Sequence, residues 1–260
     1  MVIPCINGAA LICPRENFHP AFFGQNRSAQ RCQHCFDGFY AIRFLQPQPS
    51  DVFKNRALLC ACFHSQYGDQ IGNIRAEQFD WSSVENNPVR TADPAAAEAM
   101  FNEVKAATKD GDSIGGGICC EILNLPIGLG EPVFDKFDAM LAHAMLSIGG
   151  IKGFEIGDGF AVCSGRGSFN NDPITPNGFA SNHAGGVLGG ITNGDTVRFR
   201  VAVKPTPSIS QIQQTIDKSG AAMELAIKGR HDPCLAPRIV PVVEAMAALV
   251  TADLLLRSKR

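Results

Sequence analysis

Val197, Phe199, Val201 and Val203 alternate with Arg198 and Arg200. A period of two with one apolar and one charged side is the signature of a half-buried strand. Such a strand needs an apolar layer laid against its valine side and leaves its arginine side in polar surroundings. Helices able to supply that layer can be read elsewhere in the chain. Asp93-Pro94 is a helix start, an N-cap followed by proline at the first helical position. Ala97, Met100, Phe101 and Val104 then recur on one face, so residues 94–107 read as an amphipathic helix ended by Lys109-Asp110-Gly111. Phe134, Phe137, Leu141, Ala144, Met145 and Ile148 give a second helix near 133–148. Residues 239–256 are apolar nearly all round, as in a buried helix.

Further strands are expected at Ile118–Leu125, at Lys152–Cys163 around Gly157 and Gly159, and at Met223–Ile227. Asn193-Gly194 is a hairpin signal. Strands alternating with helices, with long crossovers and some hairpins, predict an α+β fold of helices packed against sheets.

Residues 1–66 behave differently. No period persists there, and Gln46-Pro47-Gln48-Pro49 reads as loop. Six of the ten cysteines (Cys5, Cys13, Cys32, Cys35, Cys60 and Cys62) and eight of the 17 phenylalanines fall before residue 64. The expected organisation is therefore an irregular segment over 1–66 and a folded domain over 67–260. Cys32-Gln33-His34-Cys35 and Cys60-Ala61-Cys62-Phe63-His64 offer soft ligands for zinc, but Cys-x-Cys-x-His is not the usual second half of a zinc site, and no metal is assigned.

A composition of 45% apolar and 18% charged residues is enough to bury a substantial core. With a net charge of -2 and no basic run before Arg257-Ser258-Lys259-Arg260, nucleic acid is not an expected partner. The most apolar stretch, Ile239–Leu256, carries Glu244 and Asp253, which lipid would tolerate poorly, so no membrane span is expected. Met1–Cys13 lacks a basic start and makes a poor signal peptide, so a cytoplasmic protein with reduced thiols is expected.

The candidate seats of chemistry are the glycine clusters and three polar segments. The glycines at 115–117, 128, 130, 149–150, 185–186 and 189–190 match no dinucleotide or phosphate-loop fingerprint; they suit tight turns or close approach to a flat cofactor. Lys204-Pro205-Thr206-Pro207-Ser208 puts a cation beside a stiffened turn with two hydroxyls, suited to a phosphate or to an ordinary strand exit. Gly229-Arg230-His231-Asp232-Pro233-Cys234 sets Arg230 and Asp232 on one side of an extended segment, a pairing for phosphate binding and proton handling, or a polar turn. Asn182-His183-Ala184-Gly185-Gly186 enters a glycine-rich strand, and its histidine alone reads as structural.

Taken in order with Gly128-Leu129-Gly130-Glu131-Pro132-Val133-Phe134-Asp135 and Lys152-Gly153-Phe154-Glu155-Ile156-Gly157-Asp158-Gly159-Phe160, these motifs resemble chorismate synthase over residues 69–257. Asp112-Ser113-Ile114-Gly115-Gly116 and Asn87-Pro88-Val89-Arg90 fit the same pattern. The resemblance implies β-α-β sandwich layers, incomplete on the N-terminal side. It also implies anti-1,4-elimination of phosphate from 5-enolpyruvylshikimate-3-phosphate to give chorismate, in aromatic amino acid biosynthesis. The cofactor implied is reduced FMN, with NADP associated, and the assembly is a homotetramer. By motif, Gly149, Gly150, Gly189, Lys204, Pro205, Thr206, Pro207, Ser208 and Arg230 would contact FMN. Asp232 would be the catalytic carboxylate, Arg238 a lesser candidate for substrate phosphate, and Asn182 and His183 would line the site.

The family's Gly-Glu-Ser-His-Gly and Pro-Gly-His-Ala-Asp motifs, each with a catalytic histidine, do not occur, nor does its Gly-Gly-Arg-Ser-Ser-Ala-Arg-Glu segment. Ser168-Phe169-Asn170-Asn171-Asp172 is a variant of the family loop. The expectation is a chain with impaired turnover, or a truncated paralogue that binds FMN or joins family oligomers.

Overall fold

The computed structural model describes residues 65–258 and three short strands before them. Those strands, β1 (Ile3–Pro4), β2 (Ala10–Ile12) and β3 (Arg43–Phe44), pair antiparallel within the unit Met1–Ala61. The thiol segments Cys32–Cys35 and Cys60–His64 lie outside the described residues. The second unit, Cys62–Arg260, carries the motifs.

Its centre is a five-stranded antiparallel sheet. In spatial order the strands are β5 (Ile74–Arg75), β4 (Ser65–Ile71), β6 (Gly116–Ile122), β12 (Val197–Val203) and β7 (Ile151–Ile156). The alternating segment is thus the strand shared by two ladders. Val197, Phe199 and Val201 stand opposite Ile122, Cys120 and Ile118, and all six are buried. Phe199 stacks on Phe154 of β7 with ring centroids 5.4 Å apart.

Helices cover this apolar side. α1 (Pro94–Lys109) packs on β4 and β5, α2 (Phe137–Leu146) on β7, and α4 (Ala236–Arg257) on β4, β6 and α2; α3 is the single turn Gly167–Asn170. Asp93 caps α1: its Oδ1 accepts from the Ala95 and Ala96 amides, and its Oδ2 from those of Glu77 and Gln78. α4 is long and apolar enough to cross a bilayer, yet Val240, Val243, Ala247 and Leu254 are buried in the unit's own core. It starts at Ala236, ahead of the expected 239, because Pro237 suits a first helical turn.

The polar side of the sheet is a charge ladder. Arg200 is clasped between Asp69 and Glu155, with 2.7 Å from its Nη1 to Glu155, and Arg198 pairs with Glu121 at 2.6 Å. In the unit Cys62–Arg260 the described residues form one five-stranded sheet with one helical layer, together with three two-stranded ribbons, an α+β arrangement.

Three expected elements shift. The second helix begins at Phe137 rather than 133, because Gly128–Lys136 is a loop closed by the Glu131 amide on the Asp135 carbonyl; Phe134 stands 86% exposed. The strand from Lys152 stops at Ile156, where Gly157 turns the chain into a 3-10 segment at Gly159–Ser164. The hairpin forms at Gly189-Gly190, between β10 (Val187–Leu188) and β11 (Ile191–Thr192), not at Asn193-Gly194. Both glycines have positive φ, as a two-residue hairpin loop of the favoured twist requires. Asn193-Gly194 instead leads from β11 into β12, which belongs to another sheet. Near the C-terminus, β13 (Gln213–Ile216) and β14 (Ala222–Leu225) form an exposed ribbon, and β8 (Ile174–Thr175) pairs with β9 (Gly178–Phe179).

Glu244 on α4 is a strongly perturbed carboxyl of the core. Burial, reinforced by Glu85, pushes its carboxyl up to about 8 against the pull of Arg90. An acid raised on folding is held protonated, so its contribution is complete below its unfolded value of about 4.3 and is lost as pH rises through the folded value. Glu244→Gln is therefore expected to become steadily more stable relative to wild type from mildly acidic to mildly alkaline pH. Urea midpoints across that range check it; two parallel curves would refute the assignment.

Candidate functional site

The motifs gather at the two ends of β12. Where Val203 leaves the sheet, Lys204 begins a turn whose amide donates to the Gly150 carbonyl at 2.9 Å. This joins the turn after α2 to the turn after β12. Thr206 then makes two ties. Its carbonyl accepts from Ser113 Oγ at 2.6 Å, and its hydroxyl donates to the Asp232 carbonyl at 2.8 Å. The Ile114 amide donates to the Pro233 carbonyl at 2.8 Å. Gly149, Gly150, Lys204, Pro205, Thr206, Pro207, Ser208 and Asp232 therefore lie on turns bound to one another by hydrogen bonds or chain continuity. Arg230 is exposed two residues before Asp232. Arg238, from the first turn of α4, holds Asp232 Oδ2 at 3.0 Å.

Each residue's part is more specific than its type foretold. The Thr206 hydroxyl is spent on the backbone of the Asp232 turn, so it locks two loops together instead of facing outward. Gly149 leaves open space where a side chain would stand. Lys204 is half-buried and Arg230 exposed. An ammonium, a guanidinium and open glycine backbone are the groups that bind a phosphate and admit a flat ring system. Ser113, which sequence reasoning passed over, was visible only as part of a longer motif.

At the other end of β12, two glycine motifs interlock. The Gly157 amide donates to the Arg198 carbonyl at 2.9 Å, and the Asp158 amide to the His183 carbonyl at 2.9 Å. Gly157 and Gly185 have φ of 57° and 66°, and a Cβ on either would collide with the backbone of the other's segment. Here glycine is required twice over, by conformation and by space.

Around this knot, Asp172 accepts from Ser181 Oγ and from the His183 and Ala184 amides at 2.7–2.9 Å. His183 Nδ1 lies 2.7 Å from Asp158 Oδ2, and Phe169 packs 4.6 Å from its ring. Asn182 bridges Thr196 and Gly186. Asn182 and His183 thus have structural partners. Asp158 and Asp172 were not singled out in the sequence, since their partners lie up to 25 residues away.

Gly189 lies at this second end. Its neighbour Gly190 accepts from the Phe137 amide at 2.8 Å, at the start of α2, whereas Gly149 and Gly150 follow the end of α2. The ten residues of α2 span about 15 Å. β12 gives a second measure: its Val197 end abuts Gly186, its Val203 end feeds Lys204, and its seven residues span about 23 Å. Gly189 therefore lies toward the opposite end of α2 and β12 from the Lys204 turn.

Burial would raise the Asp172 carboxyl, but the bonds from Ala184, His183 and Ser181 outweigh it and hold the group below the usual carboxylate range. Its contribution is present above the unfolded value of about 3.9 and lost as pH falls through the folded one. Asp172→Asn should cost roughly 1–3 kcal/mol near neutrality and lessen acid sensitivity. Thermal melts at neutral and acidic pH check both; an unchanged melting temperature would refute the role.

The sequence model of the chorismate synthase family matches residues 57–256. The match begins somewhat ahead of Asp69, where the motifs become recognisable. Among solved structures, a chorismate synthase is similar with a TM-score of 0.62 and 27% sequence identity, covering 79% of this chain and 62% of that one. The chain thus spans less than two thirds of the length of that relative.

Proposed function

The chain belongs to the chorismate synthase family, and from that premise we propose that it is a phosphate-eliminating lyase of aromatic amino acid biosynthesis. Its substrate is 5-enolpyruvylshikimate-3-phosphate, its product chorismate, its cofactor reduced FMN, and its assembly a homotetramer. The observation that carries this reading is the joining of the Gly150, Lys204 and Asp232 turns through Lys204, Ser113 and Thr206.

The groups present fit the cofactor. Lys204, Ser208 and Arg230 supply charge and hydroxyl for its phosphate, and the open space at Gly149 leaves room for its ring. When bound, reduced flavin supplies electron density and a basic nitrogen beside the substrate. The protein's own part is to bind, orient and handle the proton. Lys204 and Arg230 offset phosphate charge. Asp232 accepts a proton at its carboxylate, with Arg238 fixing Oδ2. The short Pro205 and Pro207 turn limits how far Lys204 can swing.

A second reading, flavin binding without turnover, is favoured by the absence from the sequence of the two histidine motifs that the family uses in proton transfer. Chorismate formation with reduced FMN and substrate separates the two, and no binding of FMN at all would remove both. Lys204→Ala should weaken FMN binding by about tenfold to a hundredfold, the worth of one charge-assisted hydrogen bond. Quenching of flavin fluorescence on titration checks this; unchanged affinity would remove Lys204 from the site.

A further inference from the structure

We infer that the polar face of the central sheet carries a second binding site, for a linear alkyl diamine or polyamine. The inference does not depend on the flavin reading. A cavity of about 380 Å³ lies on that face, within the size range of small-molecule sites. Gly117, Cys119 and Glu121 point to this side of β6 in succession. Asp69 lies over Gly117, since a Cβ there would meet Asp69 Oδ2 at 3.6 Å. Arg198 stands opposite Glu121. The cavity therefore has a charged station at each end, Asp69 with Arg200 and Glu121 with Arg198. Between them its lining is Cys119, Phe79 and Trp81.

The aromatic wall is held in place. Phe79 and Trp81 lie nearly parallel, with ring centroids 6.4 Å apart and 22° between their planes. The segment that bears them is tied to the sheet by the Ala76 amide on the Asp69 carbonyl at 2.9 Å. It closes on itself through the Asp80 amide on the Ala92 carbonyl at 2.7 Å. Val84 and Ala92 of the same segment bury Cys119 beneath them. Aromatic faces attract organic cations, and their carbon surface suits methylene groups.

Charge selects the sign of the ligand. The carboxylates Asp69, Glu121 and Glu155 meet only the guanidinia Arg198 and Arg200, three negative charges against two positive, so the ladder is negative by one. Arg200 spends Nε and Nη2 on Asp69 Oδ2, and Arg198 spends Nε and Nη2 on Glu121 Oε1. Asp69 Oδ1 and Glu121 Oε2 accept from no described residue, although the two side chains are only 13% and 14% exposed. One acceptor oxygen is thus left at each end, flanking an apolar middle. Gly117 and Glu121 are four residues apart on β6, about 13 Å along the strand. Allowing about 2.8 Å for each charge-assisted hydrogen bond leaves about 7 Å between two ammonium nitrogens. At about 1.2 Å of extended chain per bond, that is the reach of a diamine with about four or five methylenes. A monoamine reaches one end only, and an anion meets a carboxylate at both.

Trp81 is the chain's single tryptophan, so its fluorescence reports on this cavity alone. The full chain is titrated with 1,4-diaminobutane, 1,5-diaminopentane and spermidine, with butylamine and magnesium chloride as single-ended and purely ionic controls. The diamines should change the Trp81 emission saturably, and butylamine should bind about tenfold or more weakly, having lost one charge-assisted hydrogen bond. Glu121→Gln should weaken the diamines by a similar factor and leave butylamine nearly as before, whereas Glu98→Gln, an exposed change on α1, should alter neither. If Glu121→Gln melts below wild type, the chain-length series on the wild-type protein decides alone. No saturable change with any diamine at millimolar concentration overturns the inference. So does equal binding of butylamine and the diamines, or an equal response to magnesium, since neither needs a site with two ends and an apolar middle.

Discussion

Everything in the Cys62–Arg260 unit depends on β12 being paired on both edges while only one of its faces is buried. Its two ladders leave no free edge, so register is set twice, by β6 and by β7. A slip of one residue would drive Arg198 and Arg200 under the helices and expose Phe199, which the core could not absorb. The clasp of Arg200 by Asp69 and Glu155 reinforces that register from the solvent side. Such half-exposed pairs contribute less energy than specificity, since a shifted strand would leave the charges unmatched.

How much of this was legible in the sequence follows from the range of each interaction. The alternation at Val197–Val203, the cap and proline at Asp93-Pro94, and the apolar run of α4 are local patterns, and the elements appear where they were read. Phe134 misled because its helical spacing from Phe137 and Leu141 is real, but Phe137 spends its amide on Gly190 in a distant hairpin. Asn193-Gly194 misled in the same way: its turn chemistry is right, yet the strands on either side pair elsewhere. In both cases the tertiary partner decided, and no window of sequence contains it.

The site divides along the same line. Lys204, Asp232 and the glycines were found by motif, and the first two do come together. Their mutual arrangement was not readable, because it depends on Thr206 reaching Asp232 across 26 residues and Ser113 reaching Thr206 across 93. Asp172 and Asp158 were hidden for the same reason. Glycine motifs that suggested close approach to a ligand turn out, at Gly157 and Gly185, to serve close approach of backbone to backbone. At Gly149 and Gly189 the space stays open, which is the difference between a glycine that packs and one that admits something.

The tie from Ser113 through Thr206 to Asp232 also bears on how the protein is made. Contacts between segments so far apart in the chain carry a large loop-closure cost and form slowly compared with α1 or the Gly189 hairpin. The Lys204 turn cannot be locked until residue 232 has left the ribosome and the sheet between has collapsed. The nascent chain can therefore display a finished glycine knot before it has any cation-bearing pocket. A ligand held by that pocket could not template the early fold; it could only select chains that have already completed it.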